Sequence, residues 1–143
     1  MIRVHGTCVD VAGTGVLLRG PSGAGKSDLA LRLIDDGARL VADDQVEITR
    51  EGQGLRCRPP LSIAGLLEVR GVGIFRLDHA AAGLGLVVDL VAPDCIERLP
   101  DPQTVEIFGA ILPLLALNPW EVSATAKVRL AVQAATGTIM SVQ

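Results

Sequence analysis

The eight residues GPSGAGKS, residues 20–27, constrain the chain most strongly, because they match the pattern G-x-x-x-x-G-K-[ST]. The apolar run GVLLRG, residues 15–20, precedes them and is typical of a buried strand. The segment KSDLALRLIDDG, residues 26–37, follows with an apolar face at helical spacing and ends at a glycine that suits a helix stop. A strand, a glycine-rich loop and a helix in this order predict a phosphate-binding loop rather than a chance turn.

The residue types of this loop explain how it would hold a phosphate chain. Glycines let backbone N–H groups turn inward around phosphate oxygens, and the N-terminus of the following helix carries partial positive charge. Lys26 supplies a full charge for the β- and γ-phosphates, and the Ser27 hydroxyl is a ligand for Mg²⁺. We therefore predict a site for a nucleoside triphosphate with Mg²⁺. The predicted nucleotide-binding residues are Gly20, Pro21, Ser22, Gly23, Ala24, Gly25, Lys26 and Ser27.

Composition argues against several other classes of protein. The chain has 143 residues, of which 49% are hydrophobic, and this fits one α/β domain over residues 1–143. Its net charge is −3, its 13 Lys and Arg residues form no run, and it has only two Phe and one Trp, so we expect no nucleic-acid partner. No apolar tract reaches the length of a spanning helix and no leader pattern opens the chain, so we expect neither membrane insertion nor export. Three scattered cysteines, interpreted as small buried residues, fit a reducing cytoplasm.

The remaining segments predict a mixed β-sheet core flanked by helices. We expect strands within residues 4–13, 38–44, 45–50, 55–58 and 84–92. A short helix is expected within residues 61–69, a second convincing helix at residues 119–136, and an exposed connection at residues 93–102. The apolar tract GAILPLLALNP, residues 109–119, has to be covered by the core, by another subunit or by a partner.

Acidic residues at two strand ends are candidates for the chemistry. The segment ARLVADD delivers Asp43 and Asp44 shortly after the first helix, whereas LGLVVD delivers Asp89 from a later strand. If the first strand continues through the acid pair, the two carboxylates diverge, so that one faces Mg²⁺ and the other an acceptor hydroxyl. The alternative for the pair is a solvated turn between two strands. For Asp89 we prefer an outward or locally paired position.

Four further polar residues have weaker support from the sequence. A lone histidine is usually structural, so His5 on its own predicts no function. Glu68 and Arg70 share one face if the chain is extended, either as an ordinary ion pair or as contacts to a metal and an anion. For Arg98 the sequence likewise leaves open an ordinary ion pair or a contact to a ligand.

Three motifs in this order resemble those of HPr kinase/phosphorylase, in its C-terminal catalytic domain. The matching text is VHGTCVDVAGTGVLLRGPSGAGKS at residues 4–27, RLVADDQVEI at residues 39–48 and LLEVRGVGI at residues 66–74. It corresponds to the family's His-Gly before a strand, its phosphate loop, its [IV]-A-D-D strand end and its L-E-[IV]-R-G-[LV]-G-I signature. The resemblance is good over residues 3–77 and traceable to about residue 135.

The resemblance implies roles for matching positions. Asp43 resembles the family's catalytic acid, a base toward a serine of the phosphocarrier protein HPr, and His5 matches a histidine near that aspartate. The implied catalytic residues are Asp43, Asp44, His5, Lys26 and Arg98, and the implied metal ligands are Ser27, Glu68 and Asp44. The resemblance also implies ATP, a core related to phosphoenolpyruvate carboxykinase, and hexamers.

The chain departs from the family pattern in three places. The additional N-terminal domain of the common long form has no counterpart here, as in a short form of the family. Residues 109–119 contain no Lys or Arg where the family has a lysine-containing loop, and the segment RLDHAAAG, residues 76–83, is short. The last two departures bear on phosphorylase activity and on HPr docking, whereas the residues for kinase activity are all present.

The leading hypothesis is therefore an ATP- and Mg²⁺-dependent serine kinase that acts on HPr. One alternative is a small-molecule kinase, although the sequence shows no arginine-rich lid. Another is a nucleotide-sensing binding module that uses the apolar tract at residues 109–119 to hold partners.

Overall fold

The structure is a computed structural model that describes residues 1–142, so Gln143, the last residue of the predicted domain 1–143, lies outside the described residues. Its strands are β1 (Ile2–His5), β2 (Thr7–Val11), β3 (Thr14–Arg19), β4 (Arg39–Ala42), β5 (Gln45–Glu51), β6 (Gly54–Arg58), β7 (Leu66–Val69), β8 (Gly73–Arg76), β9 (Ala82–Leu90), β10 (Gln103–Ile107) and β11 (Ala110–Leu117). Its helices are α1 (Lys26–Asp35) and α2 (Ala124–Ala135).

The first predicted strand is divided at Gly6 into β1 and β2. β1 pairs with β5, whereas β2 pairs with β3 and β4, all antiparallel. A Cβ on Gly6 would lie 2.9 Å from the carbonyl oxygen of Leu18, so only glycine lets the chain pass β3 this closely. The Gly6 N–H donates to the carbonyl oxygen of Asp44 at 3.1 Å. This bond places the break between β1 and β2 beside the β4–β5 connection.

The sheet has mixed strand directions, as predicted. Its order is β1-β5-β6-β9-β3-β2-β4, with β11 beside β9 and β10 beside β11. β9 is parallel to β3 and β11 but antiparallel to β6. β7 and β8 form a separate two-stranded hairpin. Because β3 lies inside the sheet, the glycine-rich loop that follows it has a fixed position.

The two helices that flank the sheet both lie on one of its faces. Leu29 and Leu33 of α1 pack with Val128 of α2 in one apolar cluster against β2, β3 and β9. The cluster on the other face contains only strand residues, for example Leu17, Ile48 and others from β4, β6 and β11. Strands alone build the core on this second face of the curled sheet, since the chain between α1 and α2 supplies no α-helix.

The short helix predicted within residues 61–69 is confirmed only in its first three residues. Leu61–Ile63 form a single 3₁₀ turn, and the chain then enters β7. Leu67 is buried while its neighbour Glu68 is exposed, which is the alternation of a strand. Pairing with β8 decides the outcome, and this pairing depends on residues that follow the segment.

The apolar tract at residues 109–119 is mostly strand β11, which pairs with β9 and β10. Leu112 and Leu117 are buried, so the core covers much of the tract, although Ile111 is 73% exposed. The second helix starts at Ala124, five residues later than predicted, because the segment before it forms turns. The connection at residues 93–102 is largely exposed, as predicted, and contains a 3₁₀ turn.

Two of the three cysteines are buried, whereas the prediction was wrong for Cys95, which is exposed. A hydrogen bond to the side chain of Cys57, together with burial, raises the pKa of the Cys8 thiol well above its usual value. In residues 1–142, no helix is both long and apolar enough to cross a membrane.

Candidate active site

The glycine-rich loop connects β3 to α1, and hydrogen bonds within its own backbone hold its shape. The Ala24 N–H donates to the carbonyl oxygen of Pro21 at 3.0 Å, and the Leu29 N–H donates to that of Gly25 at 2.9 Å. Gly25 has a φ of 102°, which side chains rarely adopt, so glycine is required directly before the helix. The loop thus delivers the N-terminus of α1 to an open cavity, with the first helical N–H groups unpaired within the helix.

Lys26 is a buried cation, only 8% exposed, at the first position of α1. Its Nζ donates to the carbonyl oxygens of Gly20 at 2.7 Å and Pro21 at 3.0 Å. None of the ion pairs found within residues 1–142 involves Lys26. A buried charge without a counter-ion is costly, and an ammonium group has a third hydrogen to donate. The loop therefore fits an anion such as a phosphate.

Asp43 lies beside the start of α1, just after the end of β4. Its Oδ1 accepts hydrogen bonds from the Ser27 hydroxyl at 2.9 Å and from the Thr7 hydroxyl at 2.8 Å. Thr7 is fully buried, so its side chain has a fixed position. Two donors on one oxygen orient the carboxylate, and its second oxygen accepts no hydrogen bond from the residues that the structure describes.

The acid pair forms a bend rather than the end of a continuing strand. β4 stops at Ala42, the Gln45 N–H donates to the carbonyl oxygen of Asp43 at 2.9 Å, and Asp44 has a φ of 72°. The two carboxylates nevertheless diverge. Asp43 faces Ser27, whereas Asp44 is exposed at the rim with its Oδ1 3.5 Å from Nδ1 of His5. The predicted turn and the predicted divergence of the two carboxylates therefore occur together, whereas the division of their roles stays a prediction.

A cavity of about 690 Å³ lies in front of the loop. Its walls come from the loop, the start of α1, the acid pair and the β7–β8 hairpin. The predicted site residues that line it are His5, Ser22, Gly23, Gly25, Lys26, Ser27, Asp43, Asp44 and Glu68. Predicted nucleotide-binding residues outside its lining are Gly20, Pro21 and Ala24, which form the back of the loop.

Glu68 and Arg70 both line the cavity on the side of the β7–β8 hairpin. Both are exposed, and neither takes part in an ion pair found within residues 1–142. The predicted ordinary ion pair between them is therefore not formed. Arg98 is exposed in the connection at residues 93–102 and does not line the cavity.

Asp89, the alternative acid, is paired locally, which agrees with the preferred interpretation. Arg19 donates to both of its carboxylate oxygens, from Nε at 2.7 Å and from Nη2 at 3.0 Å. The two residues are register partners on β3 and β9. A carboxylate held in this two-bond geometry is committed to its arginine, and Asp89 does not line the cavity, whereas Asp43 and Asp44 do.

Thr7 and Trp120 are among the cavity residues that sequence reasoning did not identify. Thr7 follows His5 by two positions, and residues two apart share a face of an extended chain, so this spacing was an available signal. Trp120 was placed in the second helix. It lies instead in the turn between β11 and α2, and no local pattern indicates that this turn reaches the glycine-rich loop.

The oxygen donors of the cavity fit Mg²⁺ that is shared with a phosphate chain. Within residues 1–142, no three His, Cys, Asp or Glu side chains are grouped closely enough to hold a metal ion on their own. Mg²⁺ is usually bound by one or two carboxylates together with phosphate oxygens and waters. The Ser27 hydroxyl and the carboxylates of Asp44 and Glu68 are donors of this type around one cavity.

A curled mixed sheet that presents a glycine-rich loop, a buried lysine and an oriented aspartate defines an α/β protein whose cavity fits a phosphate-type anion. The family profile described as "HPr Serine kinase C-terminal domain" matches residues 1–94. The chain belongs to this family. The match covers every predicted site residue except Arg98.

Two relatives show how much of a longer protein the chain spans. It is 52% identical over 130 residues to the HPr kinase/phosphorylase of an Exiguobacterium species, covering 82% of this chain and 42% of the relative. It is 44% identical over 120 residues to the HPr kinase/phosphorylase of Burkholderia lata, covering 74% of this chain and 37% of the relative. The chain therefore spans less than half the length of these curated relatives.

A solved structure has the same fold over nearly its whole length. The HPr(Ser) kinase/phosphatase from Coxiella burnetii superimposes with a TM-score of 0.78 and covers 96% of this chain and 95% of its own. Its sequence identity is 23%, so this similarity concerns the fold. It confirms a mixed α/β architecture with few helices.

Proposed function

We propose that the chain is a catalytic domain that transfers the γ-phosphoryl group of ATP to a serine of HPr, the phosphocarrier protein of the phosphotransferase system. The observation that carries the proposal is the hydrogen bond between Asp43 and Ser27, which joins a carboxylate to the loop that fits a phosphate. Membership of the HPr serine kinase family supports the reaction class. The names of the relatives support HPr as the acceptor.

The nucleotide would bind by its phosphates at residues 20–27 and the N-terminus of α1. Lys26 would turn its third N–H toward the phosphate chain and supply a positive charge, which takes part in no ion pair found within residues 1–142. Ser27, Asp44 and Glu68 would hold Mg²⁺, which when bound neutralises negative charge on the phosphates. The buried position of Lys26 makes its charge more effective than an exposed lysine's would be.

Asp43 would act as the general base through its free carboxylate oxygen. It accepts the proton of the serine hydroxyl while the serine oxygen bonds to the γ-phosphorus and the bond from this phosphorus to the β,γ-bridging oxygen breaks. ADP and phosphoserine are the products. Thr7 and Ser27 keep the second oxygen directed into the cavity by binding the first.

The other predicted site residues surround this centre to different extents. His5 lies beside Asp44 and is placed to adjust the charge at the rim of the acid pair. Arg98 is retained by resemblance alone, because it does not line this cavity. The resemblance also supports a cytoplasmic homo-oligomer, a hexamer in the family, built from one domain related to phosphoenolpyruvate carboxykinase. Phosphorylase activity toward phosphoserine-HPr belongs to the same proposal.

Thr7→Val is expected to lower turnover about tenfold, because it removes a hydrogen bond to a carboxylate, worth about 1.5–3 kcal/mol, without changing the side chain's shape. The KM for ATP is expected to stay within about twofold, since Thr7 binds Asp43 and no phosphate. Steady-state kinetics of HPr phosphorylation measures both quantities. Thr7→Ser keeps the donor and is the matched control. Equal losses in the valine and serine variants would show that Thr7 acts through packing.

ADP release with and without HPr separates the proposal from its alternatives. A protein kinase releases ADP much faster when HPr is present. A small-molecule kinase shows no response to HPr, and a nucleotide-sensing module releases no ADP in either case. The sensing module has also lost the observation that suggested it, because the tract at residues 109–119 is mostly strand β11.

A further inference from the structure

Trp120 is an exposed aromatic residue in direct contact with the glycine-rich loop. It is the single tryptophan of the chain, and it is 63% exposed although it lines the cavity. A Cβ on Gly25 would lie 3.0 Å from Cζ2 and 3.1 Å from Cη2 of its ring. The benzene edge of the indole therefore touches the loop, while most of the ring surface faces solvent. An exposed tryptophan has no packing role that explains this position.

The segment that carries Trp120 is held in place by contacts to α1 and to its own turn. Arg32 of α1 donates to the carbonyl oxygen of Pro119 at 2.6 Å and also binds Asp28 at 3.1 Å. The backbone N–H of Trp120 donates to Oδ1 of Asn118 at 3.1 Å. These bonds order the backbone that leads into Trp120. Stacking of a ligand on the ring therefore costs little conformational entropy of this backbone.

We propose that the indole of Trp120 is the stacking surface for the base of the bound nucleotide. The proposal rests on the proposed function, since it needs the phosphates to occupy the loop. The phosphate chain ends at the loop and the N-terminus of α1, so the nucleoside leaves the loop over its rim, and Trp120 forms the rim beside Gly25. Stacking on a tryptophan tolerates every base, because each has a π-face. The subsite thus binds a nucleobase through the flat face of its ring, and it discriminates only weakly between adenine and guanine.

The test compares a nucleotide with the same phosphate chain lacking a base. Isothermal titration calorimetry of the full chain with Mg²⁺ would measure Kd for ATP and for inorganic tripolyphosphate. For Trp120→Ala we expect Kd for ATP to rise about tenfold and Kd for tripolyphosphate to change less than about twofold. Trp120→Phe keeps an aromatic face and is expected to lose no more than about threefold for ATP. Phe108→Ala, which removes a partly exposed aromatic residue outside the cavity lining, is the matched control.

Three outcomes would overturn the proposal, and they differ from one another. An equal loss for both ligands in Trp120→Ala would mean that Trp120 shapes the loop. Unchanged ATP affinity in that variant would mean that the base lies elsewhere. A wild-type chain that binds neither ligand would remove the proposed function together with this subsite. If the wild-type chain binds tripolyphosphate and Trp120→Ala binds ATP as tightly as the wild type, the proposed phosphate site stands and only the Trp120 subsite is ruled out. Quenching of Trp120 fluorescence by ATP beyond that by tripolyphosphate is the expected supporting signal.

Discussion

Lys26→Ala is expected to raise Kd for ATP and to lower kcat/KM for HPr phosphorylation, the latter by on the order of 100-fold or more. The variant removes the single buried cation of the loop, which no carboxylate within residues 1–142 balances. Hydrogen bonds between charged groups are each worth about 1.5–3 kcal/mol, and the developing charge of the transition state adds to this. Calorimetry gives the Kd, and initial rates of phosphoserine formation give kcat/KM.

The chain offers a matched control for this variant, because it contains a second lysine, Lys127. Lys127 pairs with Glu121 on the surface at 2.5 Å and does not line the cavity. Lys127→Ala is expected to keep both quantities within about twofold of the wild type. Nζ of Lys26 also donates hydrogen bonds to the backbone carbonyl oxygens of Gly20 and Pro21, so its removal affects the loop's structure. A thermal unfolding curve must therefore show that Lys26→Ala is folded. A folded Lys26→Ala chain with normal ATP affinity would contradict the assignment of the loop.

Asp43→Asn is expected to lower kcat about 10²–10⁴-fold, because an amide cannot accept the serine proton. ATP binding is expected to stay within about threefold, since the amide oxygen can still accept the hydrogen bonds of Ser27 and Thr7. Single-turnover rates of HPr phosphorylation measure the first effect and calorimetry the second. Loss of kcat with retained binding separates Asp43 from Lys26, whose removal affects both.

Two further measurements are controls for the Asp43→Asn prediction. Asp78→Asn changes an exposed aspartate that pairs with Arg39 outside the cavity, and it is expected to leave kcat unchanged. Raising the Mg²⁺ concentration is expected to leave Asp43→Asn inactive. Recovery of its rate at high Mg²⁺ would assign Asp43 to the metal rather than to the proton, because the hydrogen bond from Ser27 also places it next to a predicted metal ligand.

The sequence was informative where local pattern decides structure. The strand, loop and helix around residues 15–37 followed from apolar spacing and glycines, because β3, the loop and α1 are consecutive. Asp43 and Asp44 were found for a related reason, since β4 follows α1 directly and returns beside β2. Their bend was one of two alternatives, and the contact between Gly6 and Asp44 selects it.

The features that sequence reasoning missed depend on contacts between distant segments. The strand at Leu66–Val69 forms because β8 pairs with it, and the curl of the sheet depends on partners such as β6 and β9. Trp120 reaches the loop only because β11 lies beside β9 and Arg32 holds the next turn. No window of neighbouring residues contains this information. Arg98 stays a prediction, because the cavity does not include it.

The most direct test of the central claim is the detection of phosphoserine on HPr. The chain, HPr, ATP and Mg²⁺ are incubated together, and HPr is analysed by intact mass and by fragmentation to locate the phosphoryl group. We expect one added phosphoryl group on a serine of HPr with the wild-type and Lys127→Ala chains, and none with Asp43→Asn. HPr that stays unmodified by the folded wild-type chain under varied metal conditions would contradict the account.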